Sequence, residues 1–103
     1  MSRSIVFTPE AENQLVALYL YIAEAASPDI AERYTDAVVI YCESLVTFPE
    51  RGALRDDIRP GLRVTHYRRR TVIAFTVQPE RVEILGVFHG GRDFPSLLRE
   101  PDL

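Results

Sequence analysis

The sequence lacks the features that mark membrane-spanning, secreted and thiolate-metal proteins. No apolar run approaches the roughly 18 residues that a membrane span needs. Thr8-Pro9-Glu10 interrupts the first apolar stretch, so no signal-peptide core is expected. The only cysteine, Cys42, has no disulfide partner and cannot build a thiolate metal site alone. These absences predict a cytoplasmic protein without membrane association and without a metal site.

The motifs of common enzyme classes are also missing. There is no Gly-rich loop before a helix, no paired-cysteine ligand set and no HExxH segment. The serines do not occupy a nucleophile elbow, and His66 and His89 fall on different predicted strands without clustered acids. The sequence therefore gives no reason to expect a cofactor.

Lysine is absent as well, because all twelve basic residues are arginines. A GC-rich genome produces this bias without a physical reason. The functional alternative is a need for planar, bidentate donors to carboxylates or phosphates. The charge is also uneven, since residues 1–50 carry −6 and residues 51–103 carry +3 within a net charge of −3.

The 103 residues, of which 47% are hydrophobic and 26% charged, are typical of one soluble globular domain. Alternation predicts a strand over residues 3–8. Thr8-Pro9 and Ser27-Pro28 each carry the residues of a helix start, and apolar residues three or four apart follow both. The pattern predicts a helical hairpin over residues 9–48, ending before Pro49.

Three alternating runs with short connections predict an antiparallel meander over residues 62–89. Residues 49–61 form the only long irregular stretch, and residues 92–103 form a tail with a possible helical turn at Pro95–Arg99. The order β-α-α-β-β-β indicates an α+β fold, with the hairpin packed on one face of a small antiparallel sheet. The second and third late strands are apolar on both faces, so the tail or another protein must cover the other face.

The arginines of the second half are the candidate binding residues. If the meander is correct, several guanidinium groups gather near one edge of the sheet and could dock a phosphate or an acidic peptide. The tail adds an aromatic residue, a leucine and an arginine, a composition found at binding hot spots. The candidates are Arg63, Arg68, Arg69, Arg70, Arg81, Arg92, Phe94 and Leu97.

Several segments together resemble a known family. They are the first strand with its helical hairpin, Pro49-x-x-Gly52, Arg59-Pro60-Gly61-Leu62-Arg63, and the last strand running from Val82 into His89-Gly90-Gly91-Arg92-Asp93. The resemblance is to the ParE branch of the RelE/ParE toxins of bacterial type II toxin–antitoxin, or plasmid stabilisation, systems. It covers residues 3–95 and implies a RelE/ParE-like fold in one domain.

The resemblance implies one of two activities. ParE-type members inhibit DNA gyrase and are neutralised by a ParD-type antitoxin, so they meet DNA only through gyrase or the antitoxin. RelE-type members are ribosome-dependent mRNA endonucleases that work without metal, by acid–base chemistry and electrostatic stabilisation. RelE-type sites use lysine and a C-terminal tyrosine, and this sequence has neither, which favours the gyrase inhibitor, a protein that is not an enzyme. In the alternative, Arg63, His89 and Arg92 would form the catalytic set.

Overall fold

Seven secondary-structure elements follow one another in a computed structural model that describes residues 3–90, Pro95 and Leu98. The two helices come directly after the first strand, and the remaining strands follow them. The elements are β1 (Ser4–Phe7), α1 (Pro9–Ala25), α2 (Pro28–Ser44), β2 (Ala53–Leu54), β3 (Leu62–Tyr67), β4 (Thr71–Val77) and β5 (Arg81–His89).

Both helices begin as the sequence predicts. The Thr8 side chain accepts a hydrogen bond from the amide of Ala11 at 3.1 Å, and the Ser27 side chain accepts one from Ile30 at 3.2 Å. Proline occupies the first turn of each helix, where its missing N–H costs nothing. The second helix ends at Ser44, short of the predicted Phe48, because the next amides bond three residues back and tighten the chain into turns.

The five strands form one open sheet in the order β1-β5-β4-β3-β2. The meander β3-β4-β5 is antiparallel as predicted, with Leu62 opposite Thr76 and Thr71 opposite His89. Two features differ from the sequence prediction. β1 pairs with β5 in parallel, which makes the sheet mixed. The short β2, inside the stretch predicted to be irregular, adds a fifth strand on the edge of β3.

The main core lies between the helical hairpin and one face of the sheet. Its sheet side chains alternate along β4 and β5, with Ile73, Phe75 and Ile84 completely buried. The helices contribute Ala11, Leu18, Val38, Cys42 and Leu45. Full burial of one such aliphatic or aromatic side chain contributes about 1.5–3 kcal/mol, so this layer supplies most of the apolar stabilisation. The hairpin is therefore an integral part of the domain.

A second, smaller core covers the opposite face of the sheet. Strand residues of that face pack with Ile58, from the segment before β3, and with Leu98, which is only 5% exposed. Leu98 of the tail thus covers part of the face that the sequence leaves unexplained, and Ile58 covers another part. Pro95 and Leu98 are both helical, in agreement with the predicted turn.

Among the described residues, no helix combines the length and the hydropathy that crossing a bilayer requires.

Two glycines with positive φ give a matched test of the segment that carries β2. A Cβ on Gly52 (φ +73°) would clash with the carbonyl oxygen of Val64, whereas a Cβ on Gly61 (φ +76°) would meet nothing within 4 Å. We expect Gly61→Ala to cost only the left-handed backbone penalty, about 1–2 kcal/mol. Gly52→Ala should cost roughly 3 kcal/mol or more, because the β2–β3 pairing must also shift. Urea unfolding measures both, and equal losses would contradict this account.

The burial of Leu98 predicts that the tail is needed for folding. Leu98→Ala should lower the free energy of unfolding by about 2–4 kcal/mol, as for other large-to-small core changes. Deleting residues 94–103 should lower the melting temperature further or cause aggregation. A truncated chain that keeps the full melting temperature would show that the second core does not depend on the tail.

Candidate functional site

Aromatic rings from four different elements meet at the end of the sheet where β3 turns into β4. The His89 ring lies 5.9 Å from both Tyr21 of α1 and Tyr34 of α2, measured between centroids. The Tyr34 ring also meets Tyr67 of β3 edge-on at 5.7 Å. We call Tyr21, Tyr34, Tyr67 and His89 the aromatic cluster. Edge-to-face packing at these distances stabilises the arrangement.

A buried hydroxyl joins two members of the aromatic cluster. Thr71 is completely buried, and its Oγ1 lies 2.6 Å from the hydroxyl of Tyr34 and 3.0 Å from Nδ1 of His89. Each hydroxyl has one proton. If Tyr34 donates to Thr71 and Thr71 donates to Nδ1, both protons are used and the neutral ring carries its own proton on Nε2. In the reverse order, Nδ1–H donates to Thr71 and Thr71 donates to Tyr34, so the two distances allow both neutral tautomers.

The charge state of His89 follows from its surroundings. Partial burial lowers the pKa of His89 below its ordinary value of 6.5, and the nearby positive charge of Arg70 lowers it further. The imidazole is therefore mainly neutral at pH 7. Only a neutral ring can accept at Nδ1, so the lowered pKa allows Thr71 to donate to His89 at pH 7.

Three consecutive arginines border the aromatic cluster. Arg68, Arg69 and Arg70 form the exposed turn between β3 and β4. The Arg68 backbone is left-handed, at φ 55°, and its guanidinium lies 5.6 Å from the centre of the Tyr67 ring. The turn therefore presents an exposed positive charge directly beside tyrosine side chains.

Arg63 and Arg81 do not lie beside this turn. The expectation that the arginines gather near one edge of the sheet is therefore wrong for these two residues. Arg81 begins β5, and the eight residue steps to His89 span roughly 26 Å. There it forms an exposed ion pair with Glu83 at 3.6 Å, an interaction worth little. Arg63 donates to the carbonyl oxygens of Glu50, at 2.7 Å, and Arg51, at 3.3 Å.

The set of Arg63, His89 and Arg92 is not assembled within the described residues. Arg63 lies opposite Phe75, which lies opposite Ile84, whereas His89 lies opposite Thr71. Arg63 is thus two strands and about four residue steps from His89, roughly 16 Å away. Arg92, Phe94 and Leu97 lie outside the described residues.

The sequence interpretation missed the parts of this end of the sheet that come from the helices. It placed neither Tyr34 nor Tyr21, which is exposed, among the candidate binding residues. It also missed Arg51, whose guanidinium lies 5.2 Å from the Tyr41 ring centre and 5.1 Å from that of Phe48. Helical phase could have found Tyr21, because it points away from the apolar stripe of α1.

The chemistry available here is mainly that of recognition. Tyrosine and arginine side chains in a partly exposed group are typical of protein-binding hot spots. Cys42 is no nucleophile, because burial, reinforced by the charge of Glu43, raises its pKa to about 12. Among the described residues no three His, Cys, Asp or Glu side chains are grouped so that they could hold a metal ion.

The lowered pKa of His89 predicts a pH-dependent stability. Because the folded-state pKa lies below the unfolded value of 6.5, the unfolded chain binds the proton first as the pH falls. Stability should decline from about pH 7 downward until the folded-state pKa is passed. Urea unfolding at about pH 7.5 and pH 5 should show this loss in the wild type and a smaller loss in His89→Asn, whose side-chain oxygen still accepts from Thr71. An equal loss in both proteins would contradict the assignment.

Solved structures share this architecture. Ten matching chains were found, one of which is described as the chromosomal ParDE TA system from P. aeruginosa. Its chain superposes with a TM-score of 0.75 and 23% sequence identity, and the match covers 86% of this chain and 97% of that one. At this identity the likeness establishes the fold.

No curated protein matches the sequence significantly. The family model described as "ParE toxin of type II toxin-antitoxin system, parDE" matches residues 5–94. That range includes both helices and every strand but the first residue of β1. Since the match covers most of the sequence, the chain belongs to the ParE toxin family of type II toxin–antitoxin systems.

Proposed function

We propose that the protein inhibits DNA gyrase and is neutralised by a ParD-type antitoxin, as the earlier resemblance implies. The position of Arg63 favours gyrase inhibition over the other family activity, mRNA cleavage. Its guanidinium is occupied by the carbonyl oxygens of Glu50 and Arg51, far from His89. Arg63 therefore serves the fold, and the catalytic set considered from the sequence loses one of its three residues.

The surface that suits a protein target is the aromatic cluster with the turn at residues 68–70. Tyrosine and arginine give large contact areas together with directional hydrogen bonds. The residues stand on two strands, two helices and the turn between β3 and β4, and Thr71 of β4 contacts two of them through its hydroxyl. The side chains are therefore largely preorganised, which lowers the entropic cost of binding.

The charge distribution restricts how an antitoxin could cover the toxin. All eight acidic residues of the first half are exposed, and most of them lie on the hairpin. The same surface exposes apolar side chains such as Val16, Leu20 and Ile40. An antitoxin that covers both regions should place apolar or basic residues on the hairpin and its acidic residues beside Arg68–Arg70.

One observation keeps the mRNA endonuclease as a second candidate. Arg70 lies close enough to His89 to lower its pKa, and tyrosine hydroxyls stand nearby. A neutral imidazole with a guanidinium and a phenol beside it could provide acid–base and phosphate-stabilising groups. In that case Arg70 would take the place of Arg63 in the catalytic set.

Purified protein should stabilise the cleaved complex of gyrase and supercoiled DNA while leaving mRNA on translating ribosomes intact. Reversing the charge of the turn with Arg68→Glu and Arg69→Glu should reduce the gyrase effect by roughly tenfold or more if the turn lies at the centre of the contact. Arg81→Glu, an exposed change at the far end of β5, roughly 26 Å from His89, is the control and should leave it nearly unchanged. The amount of linear DNA after protein digestion measures the effect. Adding the antitoxin encoded beside the toxin gene should abolish it.

The opposite result is equally specific. Ribosome-dependent cleavage of mRNA that disappears in Arg70→Ala and His89→Asn, with no effect on gyrase, would replace the proposal with the endonuclease. Arg63→Ala is not a suitable probe, because losing its two carbonyl contacts should disturb the loop before β2.

A further inference from the structure

A cavity of about 300 Å³ opens between α1 and the last turn of β5. It lies beside the aromatic cluster, on the side away from α2. β1 ends at Phe7, opposite Ile84, so this edge of β5 beyond Leu85 has no neighbouring strand among the described residues. The side chains that line the cavity are Gln14, Ala17, Leu18, Tyr21, Val87 and His89.

Two polar side chains around this cavity are each engaged with the fold through one atom. Oε1 of Gln14 accepts the amide of Val87 at 2.7 Å, so the other end of the Gln14 amide is its NH₂ group, a donor. Nδ1 of His89 is bonded to Thr71, and when Thr71 is the donor the remaining ring nitrogen, Nε2, carries the proton. Tyr21 adds a hydroxyl at the exposed rim.

The lining therefore selects the chemistry of its occupant. Two side-chain donors and a phenol favour an anionic acceptor, and no carboxylate lines the cavity. The positive charge of Arg70 lies close to His89. Ala17, Leu18 and Val87 form apolar walls, which favour an aliphatic or aromatic group. Since β5 has an open edge here, the occupant can also be an extended chain segment.

We propose that this cavity binds an acidic peptide segment in which a carboxylate lies next to a large apolar side chain. The carboxylate accepts from Gln14 and His89, and the apolar group packs between α1 and β5. The inference rests on the proposed function, because the antitoxin is the protein that supplies this segment. The binding chemistry itself is testable without gyrase or antitoxin.

The first test uses a fragment of this composition, N-acetyl-L-leucine, on the ¹⁵N-labelled full chain. A ligand of this size should bind with a dissociation constant on the order of 1 mM. We expect it to shift the amide signals of Ala17, Val87 and His89. N-acetyl-L-leucinamide, which lacks the carboxylate, should bind roughly tenfold more weakly or not at all. Equal shifts with both compounds, or shifts elsewhere only, would overturn the carboxylate assignment.

Variants of α1 separate the cavity from the general charge of the helix. Ala17→Glu places a carboxylate at the cavity and should abolish fragment binding, whereas Ala17→Gln should reduce it less. Asn13→Glu is the matched control: the same charge change, exposed on the same helix and outside the cavity lining. It should keep fragment binding within about twofold. An equal effect of Ala17→Glu and Asn13→Glu would contradict the site.

The His89 tautomer provides a readout that a purely steric role would not change. Long-range ¹H–¹⁵N spectra should show the proton on Nε2 in the wild type and in Thr71→Ser, which keeps the hydroxyl. Thr71→Val removes that hydroxyl and should weaken both the tautomer preference and fragment binding. A protonated Nδ1 in the wild type would overturn the donor role of His89.

The same variants connect the cavity to the antitoxin. Ala17→Glu should weaken the toxin–antitoxin complex by roughly tenfold or more, and Asn13→Glu by far less. If the fragment binds but Ala17→Glu leaves the antitoxin affinity unchanged, the cavity is not the antitoxin contact. The proposed neutralisation would then still stand. If the fragment binds and the antitoxin does not bind even the wild type, the proposed neutralisation fails by itself.

Discussion

The burial of β4 on both faces is the constraint on which the rest of the structure depends. Its first five residues, Thr71 to Phe75, are all buried, and β3 and β5 flank them on either side. A strand that is apolar on both faces requires two covering layers. The helical hairpin supplies one layer, and Ile58 with Leu98 supplies part of the other. With both faces occupied, polar functional groups are left for the ends and edges of the sheet and for the outer surface of the helices.

The charge asymmetry of the sequence follows this division. The hairpin carries seven of the fifteen acidic residues, all exposed, and only one arginine, while the other arginines concentrate in the connections and the edge regions of the sheet. At one end Arg68–Arg70 form the β3–β4 turn beside the aromatic cluster. Elsewhere Arg51 and Arg63 hold the loop after α2 through ring and carbonyl contacts. The abundance of arginine therefore has two physical uses: exposed charge in the turn, and planar multidentate donors in the loop.

The sequence predicted the fold well where local signals were strong. Helix starts at Thr8 and Ser27, the three late strands and the need to cover the second sheet face are all present in the structure. The parallel pairing of β1 was not predictable from alternation, because periodicity does not determine the direction of a neighbouring strand. The short β2 depends on its pairing with β3, and two residues carry too little local pattern to predict a strand.

The candidate site was predictable only in part, for a related reason. A run of arginines can be read directly from the sequence, and the turn at residues 68–70 lies where the meander places it. The prediction that Arg63 and Arg81 join that turn depended on where they lie along their strands. The strand register places both of them several residues away from it. The contributions of Tyr21, Tyr34 and Gln14 come through tertiary packing between helices and sheet, which a single sequence does not encode as a local pattern.

The same hydrogen bonds connect stability to recognition at this end of the sheet. Thr71 belongs to the buried strand, yet its hydroxyl bonds to Nδ1 of His89, whose ring lines the neighbouring cavity. Gln14 likewise belongs to α1, and its carbonyl oxygen completes the hydrogen bonding of Val87 at the open edge of β5. Because the Gln14 amide satisfies the backbone with its oxygen, its NH₂ group remains as a donor at the cavity. Fixed donors beside a rigid apolar wall select an occupant by charge as well as by shape, and a small domain with both sheet faces covered can provide such a combination at the end of a strand.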